Sequence, residues 1–386
     1  MSLVPAYIIS ARRSALGRVG GLHRARRLDA LAAPVIQAAL ADASIAPDQV
    51  DELLLGNATE AGNPGRLLAL AAGLPETAAA MTIDRQCASG LDAIVTAVRT
   101  IGTGAAEVVV AGGAESLSTA PWRIARPRNP YHTPHFIQLE PGLADAGGEL
   151  QPFAASEALA NKLGITRLAQ DELAFASHQR AEAAREARRF VGEIVALRSN
   201  AEEARDQTAD ITEPDDLADA IPFIGSDGTL TPANTSALTD AAAFAVVVSE
   251  AAWKSLGQPP ALRITASTAI GVSPAEEAAS PIVATRRLIA SQPGLSLDGV
   301  GVIEMSETSA AQVIAYAAAL HIDPLRVSPE GGAVVRGHPL GASGAVLVAR
   351  IFTALVRNPG PEAPTHGLAT LGALGGIGVA TLFERV

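Results

Sequence analysis

One cysteine, Cys87, stands alone in a chain of 386 residues and directly precedes a helical pattern. From Leu91 to Ile101, apolar residues recur at the i, i+3, i+4 and i+7 positions of one helix face. The thiol therefore lies at or just before a helix N-terminus, where unpaired N–H groups and the helix dipole favour a thiolate. We expect a reactive Cys87 with a depressed pKa. The alternative is a buried cysteine that acts only as a small apolar side chain.

A histidine that could serve this cysteine, His338, lies in the segment Arg-Gly-His-Pro-Leu-Gly-Ala-Ser-Gly over residues 336–344. The glycines and the proline fix a turn, and the apolar spacing after it predicts another amphipathic helix. His338 is thus expected on a rigid loop. An imidazole that can accept a proton near neutral pH is what a cysteine nucleophile needs.

These two segments, in this order and with these flanks, resemble the active-site motifs of the thiolase superfamily. The resemblance extends over most of the chain, through residues 6–14, 53–57, 71–75, 81–83, 107–116 and 227–231, with Asn234, Ser236 and Asp240 in register. It implies an α/β thiolase fold of two similar halves, each with a five-stranded mixed sheet between helices. We expect the halves at residues 1–257 and 258–386, with a loop domain inserted at about 118–233.

The pattern of apolar segments independently predicts an α/β protein. Strands are predicted near residues 4–10, 51–56, 106–112, 241–248, 261–271 and 299–305. Helices are predicted near residues 28–43, 89–103 and 167–189.

The resemblance also implies an acyltransferase, typical of fatty acid metabolism, that works through an acyl-enzyme. In thiolases a cysteine takes an acyl group from acyl-CoA, and a carbon–carbon bond is then made or broken through an enolate. Cys87 would be the nucleophile and His338 the base, with backbone N–H groups near Cys87 and in the glycine-rich turn at Gly376 as donors. Ser236 would contact the pantetheine. Coenzyme A is a substrate here, so no covalently bound cofactor is expected.

Two positions depart from the family pattern. Where thiolases have Asn-Glu-Ala-Phe, this chain has Ser306, Glu307 and Thr308. The family asparagine holds a water that helps to bind the thioester oxygen, and a serine is shorter and differently aimed. Thr308 is too weakly acidic to act as a base unaided. Glu307 could titrate, although in the family it resembles a supporting hydrogen-bonding residue.

The larger departure is the missing second cysteine, which in thiolases moves the substrate α-proton. Its position falls on Gly372. The sequence therefore predicts intact acyl transfer and an impaired Claisen step, because a general acid–base group typically contributes ~10²–10⁴ in rate. A condensing or hydrolytic relative with another acceptor, or a non-catalytic subunit that binds acyl-CoA or a partner, stays possible.

Binding of the carrier is less clearly marked. Arg185 and Arg189 could hold the phosphates of coenzyme A, or they could form a solvated helix face. The acidic segment 202–219 would repel a phosphate, so an acyl carrier protein stays an alternative carrier. His132 and His135 have metal-like spacing without further ligands, so no metal site is predicted.

Composition and charge limit the other kinds of partner and the cellular location that we expect. A net charge of −11 argues against general binding to nucleic acid or to anionic membranes. No apolar run approaches the ~20 residues of a membrane span. A single cysteine excludes a disulfide scaffold. We expect a cytoplasmic enzyme, and the family resemblance implies a homodimer or a homotetramer.

Overall fold

The computed structural model describes residues 4–127, 129, 131–134, 136, 153–198, 204–208, 211, 213–359 and 364–386. Its strands are β1 (Ala6–Ser14), β2 (Gly17–Arg18), β3 (Glu52–Gly56), β4 (Ala79–Ile83), β5 (Val108–Glu115), β6 (Ile194–Val195), β7 (Thr239–Ser249), β8 (Leu262–Gly271), β9 (Val302–Ser306), β10 (His366–Ala373) and β11 (Ile377–Arg385). Its helices are α1 (Leu28–Asp42), α2 (Pro64–Ala71), α3 (Ser89–Gly102), α4 (Ala154–Leu163), α5 (Arg167–Glu186), α6 (Asp215–Ala218), α7 (Glu250–Ser255), α8 (Ser280–Ala290), α9 (Ala310–Leu320), α10 (Ala333–Arg336) and α11 (Ser343–Phe352).

The main strands form two sheets that repeat one pairing pattern. In the first sheet β4, β3 and β5 are parallel, and β7 and β1 follow antiparallel. In the second sheet β9 and β10 are parallel, and β11 and β8 follow antiparallel. An isolated parallel bridge from Ile303 to Val327 occupies the place that β4 has in the first sheet. The two halves of the chain therefore share one topology.

The sheets and helices are stacked in layers. The central core contains α3 and α11 packed between the two sheets. A second core lies under α1 and α2 on the outer face of the first sheet, and a third lies under α8 and α9 on the outer face of the second. The sheets meet at one residue pair, Ile8 with Leu262. The layering explains the apolar strands, because a sheet covered on both faces needs apolar residues on both.

The predicted strands and helices are observed, with ends that differ by a few residues. The strands β4, β10 and β11 were not predicted. The sequence of β10 is rich in glycine and alanine, which are depleted in strands. The predicted boundary at residues 257 and 258 falls between α7 and β8 and stays a prediction. The predicted loop domain at about 118–233 contains α4, α5, β6 and α6, and part of it lies outside the described residues.

One apolar helical stretch occurs at Leu340–Arg357. It is 18 residues long with a mean hydropathy of 1.5, so its length and composition would suit a membrane span, but 78% of it is buried inside the protein. It includes α11, whose side chains pack in the central core. The stretch is a core helix, and a buried core helix can be as apolar as a membrane span.

Candidate active site

Cys87 lies in a tight turn that connects β4 to α3. Gln86, the residue before it, has a φ of +51°, in the left-handed region that non-glycine residues rarely adopt. Ser89 closes the turn, because its hydroxyl donates to the Gln86 carbonyl (2.6 Å) and accepts from the Arg85 N–H (2.8 Å). The turn places Cys87 at the N-terminal end of α3, as expected, but leaves it only 6% exposed.

Glycines let the loop of His338 approach this turn. A Cβ on Gly90 would lie 2.7 Å from the Gly341 carbonyl oxygen, and a Cβ on Gly344 would lie 2.5 Å from the Leu91 Cβ. Both distances are shorter than real carbon contacts allow. The first turn of α3 and the start of α11 are therefore in a contact that only glycine permits at these two positions.

The approach brings the two predicted catalytic side chains together. His338 Nε2 lies 3.0 Å from Cys87 Sγ. On the other side of the ring, His338 Nδ1 lies 3.0 Å from the Ser306 hydroxyl and 2.8 Å from the Ser343 hydroxyl. Either hydroxyl can accept the Nδ1 proton, which leaves Nε2 free to accept the proton of the thiol. Ser343 belongs to the 336–344 motif, but its contact with the His338 ring could not be predicted from the spacing of the motif.

Burial determines the charge state of this pair. Burial raises the pKa of the Cys87 thiol to about 12 and lowers the pKa of the His338 imidazole to about 4. The resting pair is therefore a neutral thiol beside a neutral imidazole. The predicted depressed thiol pKa is wrong, because the loss of water around the buried thiol outweighs the effect of the helix N-terminus.

Two backbone N–H groups act on the Cys87 sulfur, its own and that of Leu374, and both favour the thiolate. Both N–H groups therefore favour negative charge next to Cys87. The sequence assigned the donor in the glycine-rich turn to Gly376. The structure places Gly376 two residues further on, where its carbonyl accepts from the Val272 N–H at 2.7 Å. The donor is Leu374, since a backbone donor requires no glycine.

Comparison with known proteins gives this geometry a family. Residues 6–251 match the family Thiolase, N-terminal domain, and residues 258–385 match Thiolase, C-terminal domain. The chain belongs to the thiolase family.

Relatives match this thiolase over its whole length. The acetyl-CoA acetyltransferase of Pseudomonas aeruginosa is 36% identical over 392 residues and is matched over 98% of both chains. The acetyl-CoA acetyltransferase of Cupriavidus necator is 36% identical over 397 residues, which cover 99% of this chain and 100% of that one. The crystal structure of the Bacillus anthracis acetyl-CoA acetyltransferase superposes with a TM-score of 0.91 at 32% identity, over 100% of both chains. The predicted thiolase fold is confirmed, and the protein is an acyltransferase of the thiolase type.

The residues that replace the thiolase Asn-Glu-Ala motif lie beside His338 or beneath its loop. Ser306 contacts the histidine ring directly. Glu307 is buried and accepts from the Val334 N–H at 3.2 Å, and burial raises the pKa of its carboxyl group. The Thr308 carbonyl accepts from the Ser236 N–H at 3.1 Å, while its hydroxyl oxygen is buried without a hydrogen-bond partner among the described residues. Glu307 therefore positions the segment that leads to His338.

The position that the family resemblance gives to the second cysteine, Gly372, faces the start of α8. A Cβ on Gly372 would lie 2.9 Å from the Ser280 hydroxyl and 3.6 Å from the Glu277 carbonyl oxygen. Ser280 is itself held, since its hydroxyl donates to the Ile377 carbonyl at 2.9 Å. A side chain at residue 372 therefore requires Ser280 to move.

A buried carboxylate, Glu115, joins the two halves of the thiolase beside the site. It accepts hydrogen bonds from Asn57 Nδ2 (2.7 Å), the Thr59 hydroxyl (2.5 Å) and the Ala58 N–H (3.0 Å) in the first half, and from the Gly341 N–H (2.9 Å) in the second. Burial raises the pKa of Glu115 to about 7 despite these donors. Sequence reasoning noted Glu115 without a role, although an acid at the end of an apolar strand signals a buried, partnered charge.

The predicted carrier contacts fall in different places. Ser236 is buried next to the loop of His338. The backbone N–H of His338 donates to the carbonyl of Ala237, the residue after Ser236, at 2.8 Å. Arg185 pairs with Glu182, and Arg189 pairs with Glu330 at 2.6 Å. Both arginines are thus already partnered by carboxylates. Their role in binding coenzyme A stays a prediction.

A metal site is not indicated within the described ranges, where no group of three or more His, Cys, Asp or Glu side chains could hold an ion. Of the two histidines with metal-like spacing, His132 is described and exposed, and His135 lies outside the described residues.

Proposed function

We propose that this thiolase takes an acyl group from acyl-CoA onto Cys87 and passes it on from there. The observation that carries the proposal is the 3.0 Å contact between Cys87 Sγ and His338 Nε2. As the sulfur attacks the thioester carbon, the thiol proton moves to His338 Nε2. The bond from the acyl carbon to the coenzyme A sulfur breaks, and that sulfur takes the proton from the imidazolium. The N–H groups of Cys87 and Leu374 stabilise the oxyanion of the intermediate.

Acetyl-CoA is the acyl donor that we favour for the first tests. Relatives that match the full length of the chain are named acetyl-CoA acetyltransferases. We place the pantetheine arm near Ser236, which the family resemblance gives to this contact and which lies next to the His338 loop. An acyl carrier protein would present the same pantetheine thioester, so it is the alternative donor.

We further propose that the carbon–carbon step is slower than in a thiolase with two cysteines. The chain has one cysteine, and Gly372 offers no ionisable group where the resemblance places the second. Loss of one proton-transfer group typically costs ~10²–10⁴ in rate. Acylation of Cys87 does not use that group.

The test is mass spectrometry of the intact protein after incubation with acetyl-CoA. We expect one acetyl group on Cys87, none in Cys87→Ala, and much slower labelling in His338→Ala. An unlabelled wild-type protein would contradict the proposal and favour a non-catalytic binding subunit. Acyl-enzyme that is simply lost to water, with no exchange into added thiols, would instead indicate a hydrolytic relative.

The second part is tested by restoring the cysteine. Because a side chain at residue 372 would strike Ser280, the informative variant is Gly372→Cys combined with Ser280→Ala, with Ser280→Ala alone as the matched control. We expect the double variant to cleave acetoacetyl-CoA faster than the control, while acylation of Cys87 is nearly unchanged. Equal cleavage rates would contradict a slowed carbon–carbon step.

A further inference from the structure

A carboxylate that sequence reasoning did not single out lies beside the reacting sulfur. Glu277 belongs to the short 3₁₀ segment Pro274–Ala279 that precedes α8, and it is partly buried. After burial itself, Glu277 is the group that most raises the pKa of the Cys87 thiol. A negative charge has this effect only when it is close and poorly screened. Glu277 therefore lies near the nucleophile.

A backbone contact fixes the carboxylate of Glu277 at the turn that contains Leu374. Glu277 Oε2 accepts from the Gly375 N–H at 2.9 Å. The N–H of the preceding residue, Leu374, lowers the pKa of the Cys87 thiol. Consecutive amides of one turn thus act on the sulfur and on the carboxylate.

The backbone of Glu277 borders the position that the family resemblance gives to the second cysteine. A Cβ on Gly372 would lie 3.6 Å from the Glu277 carbonyl oxygen. Two other nearby acids support the structure. Glu115 accepts from four donors, and Glu307 holds the backbone at Val334 beneath the His338 loop. The charge of Glu277, whose own partners include the Gly375 N–H, raises the pKa of the Cys87 thiol more than that of Glu115 does.

We propose that Glu277 is a catalytic residue that moves the α-proton of the substrate in the carbon–carbon step. This inference rests on the acyl-Cys87 intermediate proposed above. The carboxylate takes a proton from the α-carbon of a second acyl-CoA, and the resulting enolate carbon attacks the carbonyl carbon of acyl-Cys87. The carbon–carbon bond forms, the carbon–sulfur bond to Cys87 breaks, and the leaving thiolate receives the proton. In thiolysis the same proton returns to the α-carbon.

The assignment agrees with a slow rather than absent carbon–carbon step. A carboxylate is a weaker base than a thiolate, since their ordinary pKa values are about 4.3 and 8.5. General-base rates fall with the basicity of the catalyst. An enzyme with Glu277 in place of a cysteine should therefore form the enolate, but less rapidly.

The decisive measurement is exchange of the acetyl-CoA methyl protons in D₂O, followed by NMR, in Glu277→Gln. Glutamine keeps an oxygen acceptor for the Gly375 N–H but cannot take the proton. We expect exchange and cleavage of acetoacetyl-CoA to fall by ~10²-fold or more, with Cys87 acylation preserved. The matched control is Glu276→Gln, the exposed neighbour in the same segment, which should exchange at the wild-type rate.

Chemical rescue separates a proton carrier from a structural group. In Glu277→Ala, added acetate should restore part of the exchange, whereas a lost structural contact would not respond to acetate. If Glu277→Gln acylates and still exchanges at the wild-type rate, the inference is overturned. If acetate fails to rescue a folded Glu277→Ala, it is likewise overturned. A wild-type protein that does not acylate Cys87 would instead overturn the proposed function.

Discussion

At the scale of single residues, the site stores its nucleophile in uncharged form. The pKa of Cys87 is raised to about 12 and that of His338 is lowered to about 4, and burial is the main cause of both. An ion pair at rest would place two charges in a nearly water-free site, which is costly. In the proposed reaction, the neutral pair becomes reactive only as charge transfers to the substrate oxygen, where the N–H groups of Cys87 and Leu374 would stabilise it.

This arrangement predicts slow alkylation of the free enzyme. Iodoacetamide reacts with the thiolate, so Cys87 should react more slowly than the cysteine of a short unstructured peptide with blocked ends at pH 7 to 8. Its rate should still be rising at pH 10, where the peptide thiol, with a pKa of about 8.5, is close to its plateau. Both the rate at pH 7 to 8 and its dependence on pH can be measured by quenching the alkylation at set times and determining the mass of the protein. A plateau for Cys87 below pH 8 would show a resting thiolate–imidazolium pair and contradict the prediction.

The sequence predicted which side chains meet at the site, but it did not predict their pKa values. The motifs around Cys87 and His338 predicted that these two side chains act together, and the structure places them in contact, because turn residues and helix periodicity leave a local signature. The thiol pKa could not be predicted, since burial depends on α11 and on the turn at Leu374, which are distant in the chain. Glu277 was missed for the same reason: its contact with Gly375, in the turn that follows β10, exists only in the folded protein.

At the scale of elements, the contact between α3 and α11 positions the catalytic pair. The close approach at Gly90 and Gly344 removes the space that side chains would need. The strands that cover this layer were largely predictable from apolar runs. The packing of α3 against α11 could not be predicted, because helix periodicity shows which face is apolar but not which helix covers it.

Gly90→Ala tests this contact. Alanine favours a helix by about 1 kcal/mol over glycine, but its Cβ would lie 2.7 Å from the Gly341 carbonyl oxygen. Overpacking of this kind costs about 1–3 kcal/mol, so we expect lower thermal stability and slower acylation of Cys87. The control is Gly299→Ala, whose Cβ would meet no atom within 4 Å. Unchanged acylation in Gly90→Ala would show that the helix contact does not set the distance between Cys87 and His338.

At the scale of the whole molecule, one face is suited to a second copy of the chain. The strand β4 lies at the edge of the first sheet and pairs with β3 in the part of the chain that the structure describes. The neighbouring helix α2 exposes Leu67 and Leu70 on one side, and Met81 on β4 is also exposed. An edge strand beside exposed apolar side chains is typical of an interface.

We predict a homodimer through this face at micromolar concentration. Replacing Leu67 and Leu70 together by Glu should give monomers in light scattering, because two buried charges without partners oppose association. The control is Leu168→Glu on α5, which is as exposed as Leu67 (67% against 66%) but lies in another region. A monomeric wild-type protein, or a dimer that survives the double substitution, would contradict this interface.

The shared topology of the halves has an evolutionary consequence. The helix α3 precedes the last parallel strand of the first sheet, and α11 has the same place before β10 in the second. Cys87 and His338 thus stand at corresponding points, just before the two central helices. In a symmetric pair of identical half-length chains, both points would carry the same amino acid, and a thiol could not face an imidazole. A single polypeptide of two halves is free of that constraint, so one half can carry the thiol and the other the imidazole.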